Sequence, residues 1–126
     1  MHRSRLSTLL IDVAPEDAEP AAAFWSSAVG VAAHPVPGEP QFTGLLGAIP
    51  GMVVAIQSVQ DEPRYHLDIE TDDVAAEVAR LTGLGAVEIA VWQGCHTMRA
   101  PGGQLLCVIP QHSAAEDFDR LATTWP

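Results

Sequence analysis

The apolar positions of this chain fall into short runs broken by Gly, Pro and Asp, and the order of those runs repeats. LSTLLIDV, within the stretch from Arg5 to Val13, is apolar at nearly every position, the pattern of a strand covered on both faces. Pro15 to Pro20 (PEDAEP) reads as a turn that leads into a helix over Ala21 to Ala28. Pro20 suits the first turn, Glu16, Asp17 and Glu19 complement the helix dipole there, and Gly30 closes the helix. Its apolar surface comes from Ala22, Phe24, Trp25 and Val29. Segment 31–40 (VAAHPVPGEP), with three prolines, admits only an edge strand and a loop. Phe42 to Ile49 and Met52 to Val59 read as two strands joined at Pro50-Gly51.

The second half runs through the same series after a hinge at Asp61-Glu62-Pro63. An alternating strand enters at His66, and Thr71 or Asp72 caps a helix with Val74, Val78 and Leu81 on one face at i, i+4 and i+7. Gly83 and Gly85 end that helix. Ala86 to Trp92, Cys95 to Ala100 and Gln104 to Ile109 are the following strands, the last two joined at Pro101-Gly102-Gly103. Ser113-Ala-Ala-Glu116 has the form of a capping box for a short C-terminal helix, with Phe118, Leu121 and Trp125 packing back on the domain. Aligning Thr8–Asp12 with His66–Glu70 places Gly30 22 residues on in the first copy and Gly85 19 residues on in the second, so the first strand–helix loop is about three residues longer. A single βαβββ unit leaves one sheet face bare, so two copies must pack together. The pattern therefore predicts one α+β domain of two βαβββ modules, 5–60 and 63–110, with a C-terminal helix over 113–124. The expected architecture is a partly open, barrel-like sheet around a central cleft.

Composition narrows the partners. The net charge of −10, with six arginines and no lysine, argues against nucleic acid and anionic membranes, and would suit a cationic ligand. No apolar run approaches the roughly 20 residues of a membrane span, and Asp12 interrupts the N-terminal apolar run, so a cytoplasmic protein is expected. Cys95 and Cys107 are too few for a disulfide framework and lack CxxC spacing, which leaves them as reduced thiols buried in strands.

The stretches LLIDVAPEDAEPAAAFWSSAVG, YHLDIETDDVAAEVARLTGLGA and APGGQLLCVIP resemble the vicinal oxygen chelate superfamily, in particular its glyoxalase-like and bleomycin-resistance-like members. The resemblance covers almost the whole chain up to Pro110 and implies the fold deduced above, together with a homodimer. Its metalloenzymes hold a divalent ion with His, Gln and Glu from the first and last strands of each unit. On this chain those positions fall at Thr8, at Gln57 or a neighbour, at His66 and at Cys107. Only His66 is a ligand of the expected kind. Thr8 stands in place of a histidine, and Cys107 in place of the carboxylate. One imidazole, one thiol, one amide and one hydroxyl are a poor set for a hard ion that must chelate oxygen. No metal and no cofactor is expected.

The remaining chemistry centres on His66, which shares a strand face with Asp68 and Glu70 and is suited to acid–base work or ligand binding, assisted by Asp12 or Glu70. Asp12, the repeat counterpart of Glu70, needs a partner on its apolar strand, with Arg64 or Arg99 as candidates. Trp92 offers a stacking wall, or packing surface, near the expected cleft mouth. Thr8, Asp12, Gln57, His66, Trp92 and Cys107 make up the expected ligand-binding set. The leading expectation is metal-independent binding of a small apolar or cationic molecule in the cleft. The alternatives are a metal-dependent lyase, isomerase or dioxygenase, and a non-catalytic interaction module whose cleft is filled by its own side chains.

Overall fold

Parallel strands need a crossover between them, and each half of this chain supplies one as a helix following its first strand. A computed structural model describes residues 1–126. Its elements are β1 (His2–Val13), α1 (Ala18–Val29), β2 (Ala33–Val36), β3 (Glu39–Leu45), β4 (Val53–Ser58), β5 (Arg64–Thr71), α2 (Val74–Gly83), β6 (Val87–Trp92), β7 (Cys95–Arg99), β8 (Leu105–Pro110), α3 (Ala115–Leu121) and β9 (Thr123–Trp125). A single 3-10 turn, Pro15–Asp17, lies between β1 and α1. No helix is long and apolar enough to cross a membrane.

The chain packs as two units, one of residues 8–66 and the other of residues 1–7 with 67–126. In the first, β1 pairs in parallel with β4, β4 antiparallel with β3, and β3 antiparallel with β2. In the second, β5 pairs in parallel with β8, β8 antiparallel with β7, and β7 antiparallel with β6. The two strand orders, β1-β4-β3-β2 and β5-β8-β7-β6, are the same, so the repeat read from sequence is a repeat of topology.

Each unit closes one sheet face with its helix. Ile11, Val54 and Ile56 alternate toward α1, where Trp25, Ala21 and Ala22 cover them. In the second unit Met98 and Val108, both fully buried, meet the Val74, Val78 and Leu81 stripe of α2. Phe24 turns outward and is 62% exposed, with its ring edge-to-face against Trp25 at 5.2 Å. The turn at Gly30 takes φ +75°, a conformation that favours glycine.

Several local expectations are corrected. Asp73, not Thr71 or Asp72, caps α2: its carboxylate accepts from the Ala76 amide at 3.0 Å. Thr71 instead donates to the Arg3 carbonyl, and Asp72 accepts from the Arg3 backbone and guanidinium. The Ser113 capping box does not form, because Ser113 is drawn to the buried Glu70, with its hydroxyl 2.6 Å from Oε2. Phe118 is fully buried as expected, whereas Leu121 stays 38% exposed. Trp125 lies in β9, a strand the pattern did not predict, which pairs with the first residues of β1. A three-residue strand carries too little alternation to be legible.

That C-terminal strand seals a buried charge. Glu77 on α2 is fully buried and accepts from Arg80 at 2.5 Å, with His2 Nε2 at 3.5 Å. The Arg80 guanidinium stacks 3.8 Å over the Trp125 ring, whose Nε1 donates to Ser4. Burial pushes the Glu77 carboxyl up, but hydrogen bonds from Arg80, Ser4 and His2 and the charge of Arg80 hold it below its ordinary 4.5. Its stabilising effect is thus complete above that value and is lost as pH falls through the lower folded-state value. Glu77→Gln should lower neutral-pH stability by roughly 1.5–3 kcal/mol and flatten the acid limb of the stability curve, as read by urea unfolding between neutral and acidic pH.

Candidate functional site

The inward face of the first unit is decided by the register of β1 on β4. Thr8 pairs with Val53, Leu10 with Ala55 and Asp12 with Gln57, so these residues share the face opposite α1. On β3, Phe42 stands beside Gln57 and Gly44 beside Ala55. Thr8, Leu10, Asp12 and Ala55 are all buried. An apolar row thus ends in a carboxylate and an amide.

Asp12 is 2% exposed, and its partners are specific. Its Oδ2 lies 2.6 Å from His66 Nδ1 and 3.7 Å from Arg64 Nε. Arg64, one of its two expected arginine partners, also holds Asp61 at 2.9 Å. Arg99, the other, donates instead to the Gly103 carbonyl. A carboxylate on Nδ1 fixes the imidazole tautomer and leaves Nε2 as its basic atom. The second oxygen, Asp12 Oδ1, is buried without a hydrogen-bond partner, and so is Gln57 Oε1 on the neighbouring strand. Asp12 also lines a cavity of about 310 Å3 with Ile11, Val13, Trp25, Pro63, Arg64 and Tyr65.

Four of the expected site residues, Thr8, Asp12, Gln57 and His66, therefore belong to the first unit, and Asp12 touches His66 directly. Glu70, the other carboxylate considered for His66, has its own set in the second unit: Ser113, Arg5 at 3.3 Å and His112 Nε2 at 3.3 Å. The repeat-equivalent carboxylates Asp12 and Glu70 thus each meet one arginine and one histidine. Trp92 ends the edge strand β6 and is 69% exposed. His96 on β7 is occupied by Glu88, 2.9 Å away.

Cys107, the last of the set, lies in the second unit among groups that sequence reasoning did not connect. Across β5, β8 and β7 the register puts Asp68, Cys107 and Thr97 in one row. Thr97 Oγ1 is 3.5 Å from Cys107 Sγ. Cys95, two residues before Thr97 on β7, shares that face, and its thiol hydrogen-bonds Cys107. This bond holds the Cys95 thiol below its ordinary 9.0, with help from Thr97 and against burial and the Asp68 charge. The only signal for the pair in the sequence was strand alternation, which cannot say which strands are neighbours.

Comparison with known proteins follows the topology. A family model described as "Glyoxalase-like domain" matches residues 8–109. No curated protein matches the chain. Among solved structures, a glyoxalase/bleomycin resistance protein/dioxygenase superfamily member from Vibrio splendidus 12B01 is 13% identical, with a TM-score of 0.58 over 86% of this chain and 99% of that one. A Streptomyces coelicolor methylmalonyl-CoA epimerase in complex with 2-nitronate-propionyl-CoA is 15% identical, TM-score 0.60, over 86% and 98%. Methylmalonyl-CoA epimerase from Mycobacterium tuberculosis is 19% identical, TM-score 0.54, over 86% and 88%. At such identities the likeness is one of fold.

The thiol geometry yields a direct expectation. Alkylation of Cys95 should rise with pH through a midpoint below the ordinary thiol value, and Cys107→Ala should move that midpoint upward, as followed by mass spectrometry of iodoacetamide-treated protein.

Proposed function

We propose, from the premise that the chain belongs to the glyoxalase-like domain family, that it binds a small molecule combining a cationic or hydrogen-bond-donating group with an apolar body, and that it does so without a metal. The observation that carries this reading is the pair of buried, unpartnered acceptors Asp12 Oδ1 and Gln57 Oε1. Unsatisfied buried acceptors cost on the order of 1–3 kcal/mol each, so a donor from outside the protein gains that energy by meeting them. An ammonium or amidinium group is complementary to both. Leu10 and Ala55, on the same face, supply apolar surface beside the two acceptors, and Asp12 also borders a cavity of about 310 Å3 on the α1 side with Ile11, Val13 and Trp25. The overall charge of −10 draws cations toward the surface. Thr8, which occupies a family metal position with a hydroxyl, fits this reading better than metal chelation.

A second reading is favoured by one contact. The 2.6 Å bond between His66 Nδ1 and Asp12 Oδ2 is the arrangement that orients an imidazole for proton transfer, and lyase or isomerase chemistry of the superfamily would use it. Epimerases stand among the proteins of similar fold. The expected homodimer is part of the proposal as well: β6 is an unpaired edge on which Val87, Ile89, Val91 and Trp92 are all exposed. Two free cysteines accord with the expected cytoplasmic setting.

Calorimetric titration with benzylammonium and, in parallel, benzyl alcohol tests the leading reading. Saturable binding that favours the cation is expected, weakened about tenfold or more (1.4 kcal/mol per decade) in both Asp12→Asn and Gln57→Ala. Absence of saturable binding, or affinity indifferent to both substitutions, would overturn it. His66→Asn should leave affinity within a few-fold under the binding reading; loss of a turnover activity with retained binding would instead select proton transfer.

A further inference from the structure

We propose that the cavity on the α1 side of the first unit binds a small neutral aromatic molecule that carries a hydrogen-bond acceptor, such as an aryl ketone or ester. The cation-binding reading uses the opposite sheet face and different probes, so the two stand or fall separately.

The cavity has a volume of about 310 Å3, at the small end of the roughly 300–1,000 Å3 of ligand sites, which suits one ring with a short substituent. Ile11 and Val13, from the end of β1, and Pro63 give it aliphatic surface. Trp25 and Tyr65 add two aromatic rings, against which a planar ligand can stack offset or edge-to-face. Tyr65 is 60% exposed, so a ligand that covers it removes apolar surface from water. The second unit, built on the same plan, has the equivalent place closed. Thr71, the repeat counterpart of Val13, is 1% exposed; it donates to the Arg3 carbonyl at 2.8 Å and accepts from the Gln111 amide at 2.9 Å. The connection from strand to helix also differs, running over 14–17 in the first unit and over 72–73 in the second. The opening is therefore a property of the first unit and not of the repeat.

Arg64 sets the polar end of the cavity. A guanidinium carries five N–H donors in a fixed fork. Here Nη1 donates to Asp61 at 2.9 Å, and Nε lies 3.7 Å from Asp12 Oδ2, beyond hydrogen-bond reach. These contacts leave donors of the fork to spare, and the side chain is only partly buried, so an acceptor on the ligand can meet them. Charge decides which acceptor. Asp12 and Asp61 both face the Arg64 cation, so carboxylates outnumber it there and an anionic ligand is repelled. A cation is opposed by the guanidinium itself. A neutral carbonyl oxygen meets neither obstacle, and its aryl group fills the apolar remainder.

The test uses the full chain, isotopically labelled for nuclear magnetic resonance, with acetophenone as the probe and benzoate and benzylammonium as its charged counterparts. Acetophenone should shift the Trp25 and Tyr65 ring resonances saturably and show nuclear Overhauser contacts to both rings, a readout that requires no variant. Both ions should bind at these rings about tenfold more weakly or worse. Arg64→Gln should weaken acetophenone about tenfold. Tyr65→Ala, a change at a mostly exposed ring, should weaken it about threefold or more. A response that does not saturate, contacts that fall on other rings, affinity unchanged in Tyr65→Ala or Arg64→Gln, or tighter binding of either ion at these rings would each overturn the proposal.

Discussion

A carboxylate taken out of water must meet donors, and the two units of this protein are arranged around that requirement at Asp12, Glu70 and Glu77. Each is at most 2% exposed. An unpaired charge at any of these places would cost several kcal/mol, a large share of the stability of an ordinary domain. The chain has six arginines, and three of them answer these three carboxylates: Arg64 for Asp12, Arg5 for Glu70 and Arg80 for Glu77. A histidine joins each pair, His66, His112 and His2 respectively. The consequences spread outward. Ser113 leaves its helix cap for Glu70, and β9 brings Trp125 over Arg80.

Asp12 differs from Glu70 in what its partners leave undone. The set at Glu70 is completed by Ser113, whereas Glu77 Oε2, like Asp12 Oδ1, is buried without a hydrogen-bond partner. Asp12 has Gln57 beside it, and Gln57 presents an acceptor of its own. Buried acceptors that lack a donor are costly in a finished core and useful in a binding site. On the resemblance to metalloenzymes of this superfamily, the four expected metal positions carry a hydroxyl, an amide, the imidazole of His66 and a thiol.

Much of the fold could be read from the chain because its signals are local. The apolar run before Val13, the Val74–Val78–Leu81 stripe and the glycines after each helix depend only on near neighbours along the backbone. The topology followed from the repeat, since both halves carry the same series of elements. The misreadings were local choices overruled by distant groups. Thr71 and Asp72 were engaged by Arg3, which left Asp73 to cap α2. Nothing near Ser113 in sequence announces that Glu70 claims its hydroxyl, 43 residues away.

The candidate sites divide in the same manner. Sequence alone determined that Thr8, Asp12 and His66 lie on inward strand faces, because side-chain alternation has a period of two and the hydrophobic pattern sets its phase. The expectation of a poor donor set for a hard metal also came from sequence, since donor chemistry is a property of residue type. Only the tertiary structure decided that Asp12 receives His66, and that Cys95 and Cys107 share one sheet face. Strand register sets these contacts, and register depends on the pairing of residues far apart in the chain, which no local pattern encodes.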